Sequence, residues 1–325
     1  MNFPLSLYVA APLAAGLVTA ASLPAWRALC RRRGWVDDPG ARKIHDAPVP
    51  LAGGLAILTG ILLPLALVGL AAQWGWLGAM AQDRLLYGLE QRWPQLAAVL
   101  GGAVGMTLLG WWDDRVELSA ARKFAGQLGI ALLVAASGVR VTLFVPSAAF
   151  SFLVTVLWIL TVTNALNFLD NMNGLCAGLG VIGAALFGLA AAGQDHYLVA
   201  GLAFLVAGAM AGFLPFNYPR ATAFLGDAGS HLIGFLLAVL AVFPHFHSVE
   251  RPRPLAVLSP LLILAVPLLD LAWVVLLRWR AGQPFYVGDT NHLSHRLVRR
   301  GLSRPAAVAV IWALAAALGA LAFLL

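Results

Sequence analysis

Residues 147–174 read SAAFSFLVTVLWILTVTNALNFLDNMNG, and the stretch changes character partway along. From 147 to 166 it carries no charged residue and stays mostly apolar for about twenty residues, the length a helix needs to cross a bilayer. Its far end is polar, with Asn164, Asn167, Asp170, Asn171 and Asn173. At about 100° per residue Asn164, Asn167 and Asn171 fall within about 60° of one another, a polar stripe on one helix end. One asparagine there is an ordinary cap or packing residue. Four asparagines and an aspartate within ten residues point to a ligand met where the helix leaves the membrane.

Working outward, comparable apolar runs lie at 4–26, 51–72, 95–112, 124–140, 175–192, 197–216, 229–243, 254–276 and 305–324. With 147–166 they predict an all-α, polytopic integral membrane bundle of about ten transmembrane helices. A chain 61% hydrophobic and only 11% charged cannot be a soluble globular protein. The first run has no Lys or Arg before Arg27, so it lacks the basic start of a cleavable signal and reads as a retained helix. No repeat, low-complexity tract or long linker divides the chain, so residues 1–325 read as one membrane domain.

An even number of spans puts both termini on one side, and loop charge chooses which, because cytoplasmic loops carry the excess of Lys and Arg. With both termini extracytoplasmic, sixteen of the 21 Lys and Arg fall in inside loops and five in outside loops. The net charge of +7 then faces the cytoplasm, where it attracts anionic headgroups and phosphorylated substrates. Nucleic acid is a poor partner for a chain with no soluble basic domain. Cys30 and Cys176 both fall near the reducing inside face and predict no disulfide.

The unusual polar residues gather in five inside loops. A transporter would place ionisable groups near the bilayer midplane, in helices interrupted in matching halves. A cluster on one face instead suits a reaction between a soluble and a lipid substrate. The first loop holds Arg42, Lys43 and His45, then re-enters through Pro48-Val49-Pro50-Leu51-Ala52-Gly53-Gly54, whose paired glycines let backbone approach a neighbour or ligand closely. The second carries Asp113 and Asp114 with Arg122 and Lys123 behind them. They read either as a solvated ion-pair loop or as a place for a cation or a mobile proton, since adjacent acids repel. The Asn-rich segment 164–174 forms the third. The fourth holds Asn217 and then Phe224-Leu225-Gly226-Asp227-Ala228-Gly229-Ser230 at a helix start. Such a turn offers free N–H groups to phosphate, and Asp227 is either an N-cap or a hard oxygen ligand for Mg²⁺. The last contains His292, His295 and Arg296. Without a following Glu or Cys the two histidines do not read as zinc ligands; they read as phosphate-facing groups or as part of a solvated basic loop. Asp270, inside the ninth run, stays open between a structural and a functional role.

In this order the five loops resemble those of the polyprenyl-phosphate N-acetylhexosamine-1-phosphate transferases, over residues 34 to 304. The resemblance implies transfer of an N-acetylhexosamine-1-phosphate from a UDP-sugar to polyprenyl (undecaprenyl) phosphate at the cytoplasmic face, with release of UMP. It implies catalytic roles for Asp113, Asp114, Asp227, His292 and His295. It further implies substrate contacts for Lys123, Asn167, Asp170, Asn173 and Asn217, a uracil stack on Phe224, and Mg²⁺ on Asp227 and Asn167, with Mn²⁺ as its substitute. Arg296 joins the substrate-binding set, and Arg42 and Lys43 are candidates in the first loop. Many family members carry a denser histidine cluster where this chain has Ser294 and Arg296. The 42–54 stretch is more similar to GlcNAc-1-phosphate transferases than to the transferase for UDP-MurNAc-pentapeptide. A polyprenol-phosphate or nucleotide-sugar transporter is the rival class. The expected location is the plasma (inner) membrane, among membrane lipids, as a monomer or a homodimer. Direct displacement by the lipid phosphate is favoured over a two-step route through an aspartate.

Overall fold

The computed structural model of the protein describes residues 3–38, 47–76, 79–141, 145–243 and 254–325. Arg42, Lys43 and His45 therefore lie outside the described residues.

Each of the ten apolar runs carries helix. The helices are α1 (Leu5–Arg33), α2 (Gly53–Gln73), α3 (Ala79–Val116), α4 (Ala120–Ala136), α5 (Ala148–Leu169), α6 (Leu175–Ala192), α7 (Tyr197–Phe213), α8 (Gly226–Leu240), the short α9 (Ser259–Ile263), α10 (Ala265–Arg280), the short α11 (Leu293–Arg299) and α12 (Arg304–Ala320). Among the described residues seven are long and apolar enough to cross a membrane, or eight if the bent α9–α10 pair counts as one span. By length and composition alone α4, α8 and the bent α9–α10 pair fall outside the seven, and the expected ten spans are not confirmed. For α8 and the bent pair the structure gives a physical cause. Every residue of α8 from Ala228 to Leu240 is buried, so this 15-residue helix is wrapped by protein rather than lipid and need not match the bilayer. The ninth run bends by 73° between α9 and α10, where Pro267 cannot donate to the carbonyl of Ile263 and the ladder breaks.

α8 forms the axis, packed against α2, α3, α5 and α6, while α1 lies against α7 and α2. Contact between the start of one helix and the end of another defines the bundle's ends. Lys123 near the start of α4 meets Asp113 near the end of α3, Asn167 near the end of α5, and Asp227 at the start of α8. Gly53 and Gly54, opening α2, donate to the carbonyls of Phe224 and Leu225 just before α8. Tyr218 donates to Pro305 O at the start of α12. All these loops share one end, and α1 starts from the opposite one, where Phe3 packs on Tyr197 at 5.2 Å.

Among the described residues the fold departs from all-α in one place. Val36–Asp37 and Val49–Pro50 pair as a two-residue antiparallel ribbon, Val36 opposite Pro50 and Asp37 opposite Val49. Pro48 and Pro50 hold the residues before them extended, which favours strand over helix. The ribbon continues as hydrogen bonds from Leu51 N to Trp35 O (3.1 Å) and from Phe224 N to Pro50 O (2.9 Å). It thereby ties the first loop to the fourth. The close approach expected of the Gly pair is a helix contact: a Cβ on Gly54 would sit 2.5 Å from Gly229 N.

Candidate functional site

The α3 helix ends in two adjacent aspartates that face different partners. Asp113 Oδ2 lies 2.8 Å from Lys123 Nζ. Asp114 turns to the backbone of α8 and accepts from Asp227 N (2.8 Å) and Ala228 N (3.1 Å). It satisfies two of the unpaired N–H groups at that helix start, placing a carboxylate at the positive end of the dipole. Two glycines permit it. A Cβ on Gly226, whose φ is +70°, would lie 2.6 Å from Asp114 Oδ2, and one on Gly110 would lie 2.2 Å from Asp227 O. The pair that reads in sequence as one acidic dyad is one capping residue and one residue facing the cluster.

Lys123 is the hub. Its ammonium bridges Asp113 and Asp227 (Oδ2 at 2.6 Å) and donates to Asn167 Oδ1 at 3.3 Å. Asn167 Nδ2 donates to Asp227 Oδ1 (2.7 Å) and Ser230 Oγ (2.9 Å). The side chain of Asp113 is 9% exposed, Lys123 19% and Asp227 32%, so Asp227 is the carboxylate most open to an incoming group. Ser230 was absent from the sequence-derived set; its place one turn after Asp227 was the available signal.

Asp170 ends α5, half-buried, and burial together with the charges of Asp227 and Asp114 pushes its carboxyl well above the usual carboxylate range. Asn173 donates to Pro219 O at 3.4 Å. Asn217 is buried and engaged at both ends of its amide, accepting from Gly174 N (2.6 Å) and donating to Ala223 O (3.0 Å). It ties the fourth loop to the start of α6. Phe224 is half-buried, its backbone paired to Pro50 and Gly53.

The histidine loop joins this end through the Asn-rich turn. Ser294 Oγ donates to Asn171 Oδ1 (2.7 Å), and the Arg278 guanidinium lies 5.1 Å from the Phe168 ring. Arg278 is itself paired to Asp289 at 2.9 Å. His292 and Asp270 are both buried, with Nδ1 of the imidazole 2.6 Å from Asp270 Oδ2. The other Asp270 oxygen accepts from Leu293 N at 2.7 Å, so this carboxylate sets both the ring and the start of α11. His295 is half-buried, and burial, then His292, Arg299 and Arg304, lower its imidazole below the ordinary value. Arg296 lies over the Trp273 ring at 4.9 Å. No direct contact joins the histidines to the Lys123 cluster among the described residues.

Two hollows flank the cluster. A polar cleft of about 310 Å³ lies behind Asp114, lined by Arg33, Trp35 and Arg115. An apolar groove of about 640 Å³ begins at Ala125, two residues past Lys123, and runs along α4 past Gly129 and Leu133 to Phe152 of α5. Among the described residues no three acidic, histidine or cysteine side chains converge on one point. The donor set fits Mg²⁺ all the same, because that ion takes one or two protein carboxylates and completes its shell with phosphate and water oxygens. An ammonium held between two carboxylates and an amide oxygen shows that the cluster accommodates positive charge.

Fold and site together define a multi-pass membrane protein whose loops gather an acid–lysine cluster at one end of a helical bundle. The model of glycosyl transferase family 4 matches residues 96–245, which contain the whole Lys123 cluster, and the chain belongs to that family. It is 32% identical to the probable undecaprenyl-phosphate N-acetylglucosaminyl 1-phosphate transferase of Bacillus subtilis (strain 168), across 86% of this chain and 74% of that one. It is 35% identical to the decaprenyl-phosphate N-acetylglucosaminephosphotransferase of Mycobacterium tuberculosis (strain ATCC 25618 / H37Rv), across 92% and 78%. With the undecaprenyl-phosphate alpha-N-acetylglucosaminyl 1-phosphate transferase of Escherichia coli (strain K12) it shares 24% identity, across 92% and 78%.

Proposed function

We propose that this protein transfers N-acetylglucosamine-1-phosphate from UDP-N-acetylglucosamine to a polyprenyl phosphate, releasing UMP, at the cytoplasmic face of the plasma membrane. The observation that carries the reading is Lys123 bridging Asp113 and Asp227 at the start of α8, an acid–lysine cluster inside a family whose similar members are named for this transfer.

The reaction needs positioning and neutralisation of phosphate charge more than covalent help. An oxygen of the lipid phosphate attacks the β-phosphorus of the UDP-sugar, and the bond from that phosphorus to the UMP oxygen breaks. A phosphate monoester is already mostly dianionic at neutral pH, so no strong base is required. Lys123 neutralises the reacting phosphates, and Asn167 and Asp113 hold that ammonium and Asp227 in register. Asp227 would hold Mg²⁺, with Asn167 orienting its carboxylate. When bound, the ion neutralises pyrophosphate charge and assists departure of UMP. The groove along α4 suits the prenyl chain, because its lining from Ala125 to Ala136 is apolar. The arginines of the 310 Å³ cleft add attraction for the anionic donor.

Transfer of label from UDP-[¹⁴C]GlcNAc into solvent-extractable lipid by the purified protein tests the reading. UMP must appear in equal amount, and a panel of UDP-sugars identifies the donor. Label that stays water-soluble with every donor would sink it. The orientation is tested separately: single cysteines at positions 38, 117 and 290 are expected to resist an impermeant reagent applied to intact cells, and labelling at 117 would invert the topology.

Within this reading Asp270 fixes the orientation of His292. Asp270→Asn is expected to lower turnover on the order of 10- to 100-fold, the scale of releasing an imidazole that a carboxylate orients from behind. Asp270→Asn/His292→Ala should be no slower than His292→Ala alone, because the pair acts as a unit. Additive losses would separate them.

A further inference from the structure

One helical turn deeper into the membrane, three members of the Lys123 cluster have a polar counterpart on their own helices. Gln127 follows Lys123 by four residues on α4, Asn164 precedes Asn167 by three on α5, and His231 follows Asp227 by four on α8. Those spacings put each pair on one helix face. The three deeper residues also touch one another. Asn164 Nδ2 donates to Gln127 Oε1 at 2.7 Å, and Gln127 Nε2 lies 3.1 Å from His231 Nε2. Asn164 Nδ2 also donates to Leu160 O in its own helix (2.8 Å). Gln127 and His231 are fully buried.

Packing alone does not call for this tier. Polar side chains among apolar helices are costly unless partnered, and His231 Nδ1 finds no partner among the described residues. With the Gln127 amide donating to Nε2, Nδ1 carries the proton, so an N–H is left unmatched in the interior. An apolar residue of similar volume would fill the same space without that penalty. The tier does join α4, α5 and α8, the three helices that present Lys123, Asn167 and Asp227. A reactive cluster must be held to about 0.5 Å, and side chains locked from behind hold it best.

We infer that Gln127, Asn164 and His231 are positioning residues: a hydrogen-bonded layer that locks three helix ends in register so that the Lys123 ammonium stays between Asp113 and Asp227. The inference rests on the reading above for its kinetic arm only. No member of the layer touches the cluster's acids in the structure, so their effect passes through helix register.

The test uses the full-length protein in detergent, with Gln127→Met and His231→Phe to remove the polar groups at near-constant volume, and His231→Gln to restore a hydrogen-bonding partner for Gln127. Turnover is expected to fall on the order of 10- to 100-fold in the first two, the scale of removing a group that orients a site from behind, with KM for the UDP-sugar unchanged. His231→Gln should recover most of the loss. A second readout needs no substrate. Lys123 and Lys43 are the chain's two lysines, so trace acetylation followed by mass spectrometry gives Lys123 reactivity relative to Lys43. Release of Lys123 should raise that ratio several-fold in Gln127→Met and His231→Phe, and His231→Gln should return it. If melting temperature falls while the acetylation ratio and the turnover per folded molecule match the native protein, the layer is packing only and the inference is overturned. Should the native protein transfer no sugar phosphate, the proposed function fails, and the acetylation ratio still decides the role of the layer.

Discussion

Asp227→Ala is expected to abolish transfer in a protein that remains folded and membrane-inserted. The backbone N–H of residue 227 stays bound to Asp114, so the start of α8 keeps its cap, and the side chain removed is the most exposed of the cluster's two carboxylates. What disappears is the open oxygen donor and half of the bridge that holds Lys123. A melting temperature close to native, with label transfer below detection, is the expected pair of measurements. Chelation of the native protein should stop transfer and Mg²⁺ should restore it, while Asp227→Glu should retain a trace of activity with Mn²⁺, whose looser coordination tolerates the longer arm. Full activity in excess EDTA, or normal turnover by Asp227→Ala, would remove this residue from the mechanism.

The second large effect separates two neighbours. Asp113→Asn keeps size and the oxygen that accepts from Leu118 N (2.7 Å) but removes the charge that holds Lys123 at 2.8 Å, and turnover is expected to fall on the order of 10²-fold or more with little change in melting temperature. Asp114→Asn also removes a charge, but from a residue accepting two backbone N–H groups. An amide offers one oxygen for two donors and turns its own N–H₂ toward the other. Here stability should fall, by roughly 1–3 kcal/mol for a buried donor left unmatched. Turnover should fall as well, since α8 carries Asp227. Equal melting temperatures for the two variants would contradict the division of roles.

That division marks where sequence reading stops. Asp113 and Asp114 are consecutive on a helix, about 100° apart, so they cannot share a partner equally. Which of them faced the cluster depended on where α8 docks, a relation across more than a hundred residues. Asn217 shows the same limit. Its motif position resembles a nucleoside contact, and only the structure shows that both ends of its amide also close a loop. Asp270 moved the other way: left open by its place inside an apolar run, it becomes the partner of His292 once the loop after α10 folds back on that helix. Gln127 and His231 carry little signal in sequence, because each is a lone polar residue in an apolar run. Their significance lies in three helices placing them one turn below Lys123, Asn167 and Asp227.

By itself the sequence determined that the chain is a membrane helix bundle, because about twenty consecutive apolar residues have few other stable solutions in water or lipid. It also marked out the polar helix ends that the structure gathers at one end of the bundle, since Asn, Asp and His at the ends of such runs are costly. The number of full spans was beyond it. Whether a short apolar helix such as α8 meets lipid or protein is set by its neighbours, and whether Pro267 ends a span or bends one is set by what packs on either side. The tertiary structure alone decided which oxygen faces Lys123, which amide closes a loop and which carboxylate holds an imidazole. Those outcomes turn on differences of an ångström between side chains from distant helices, and local propensity and periodicity carry no information at that range.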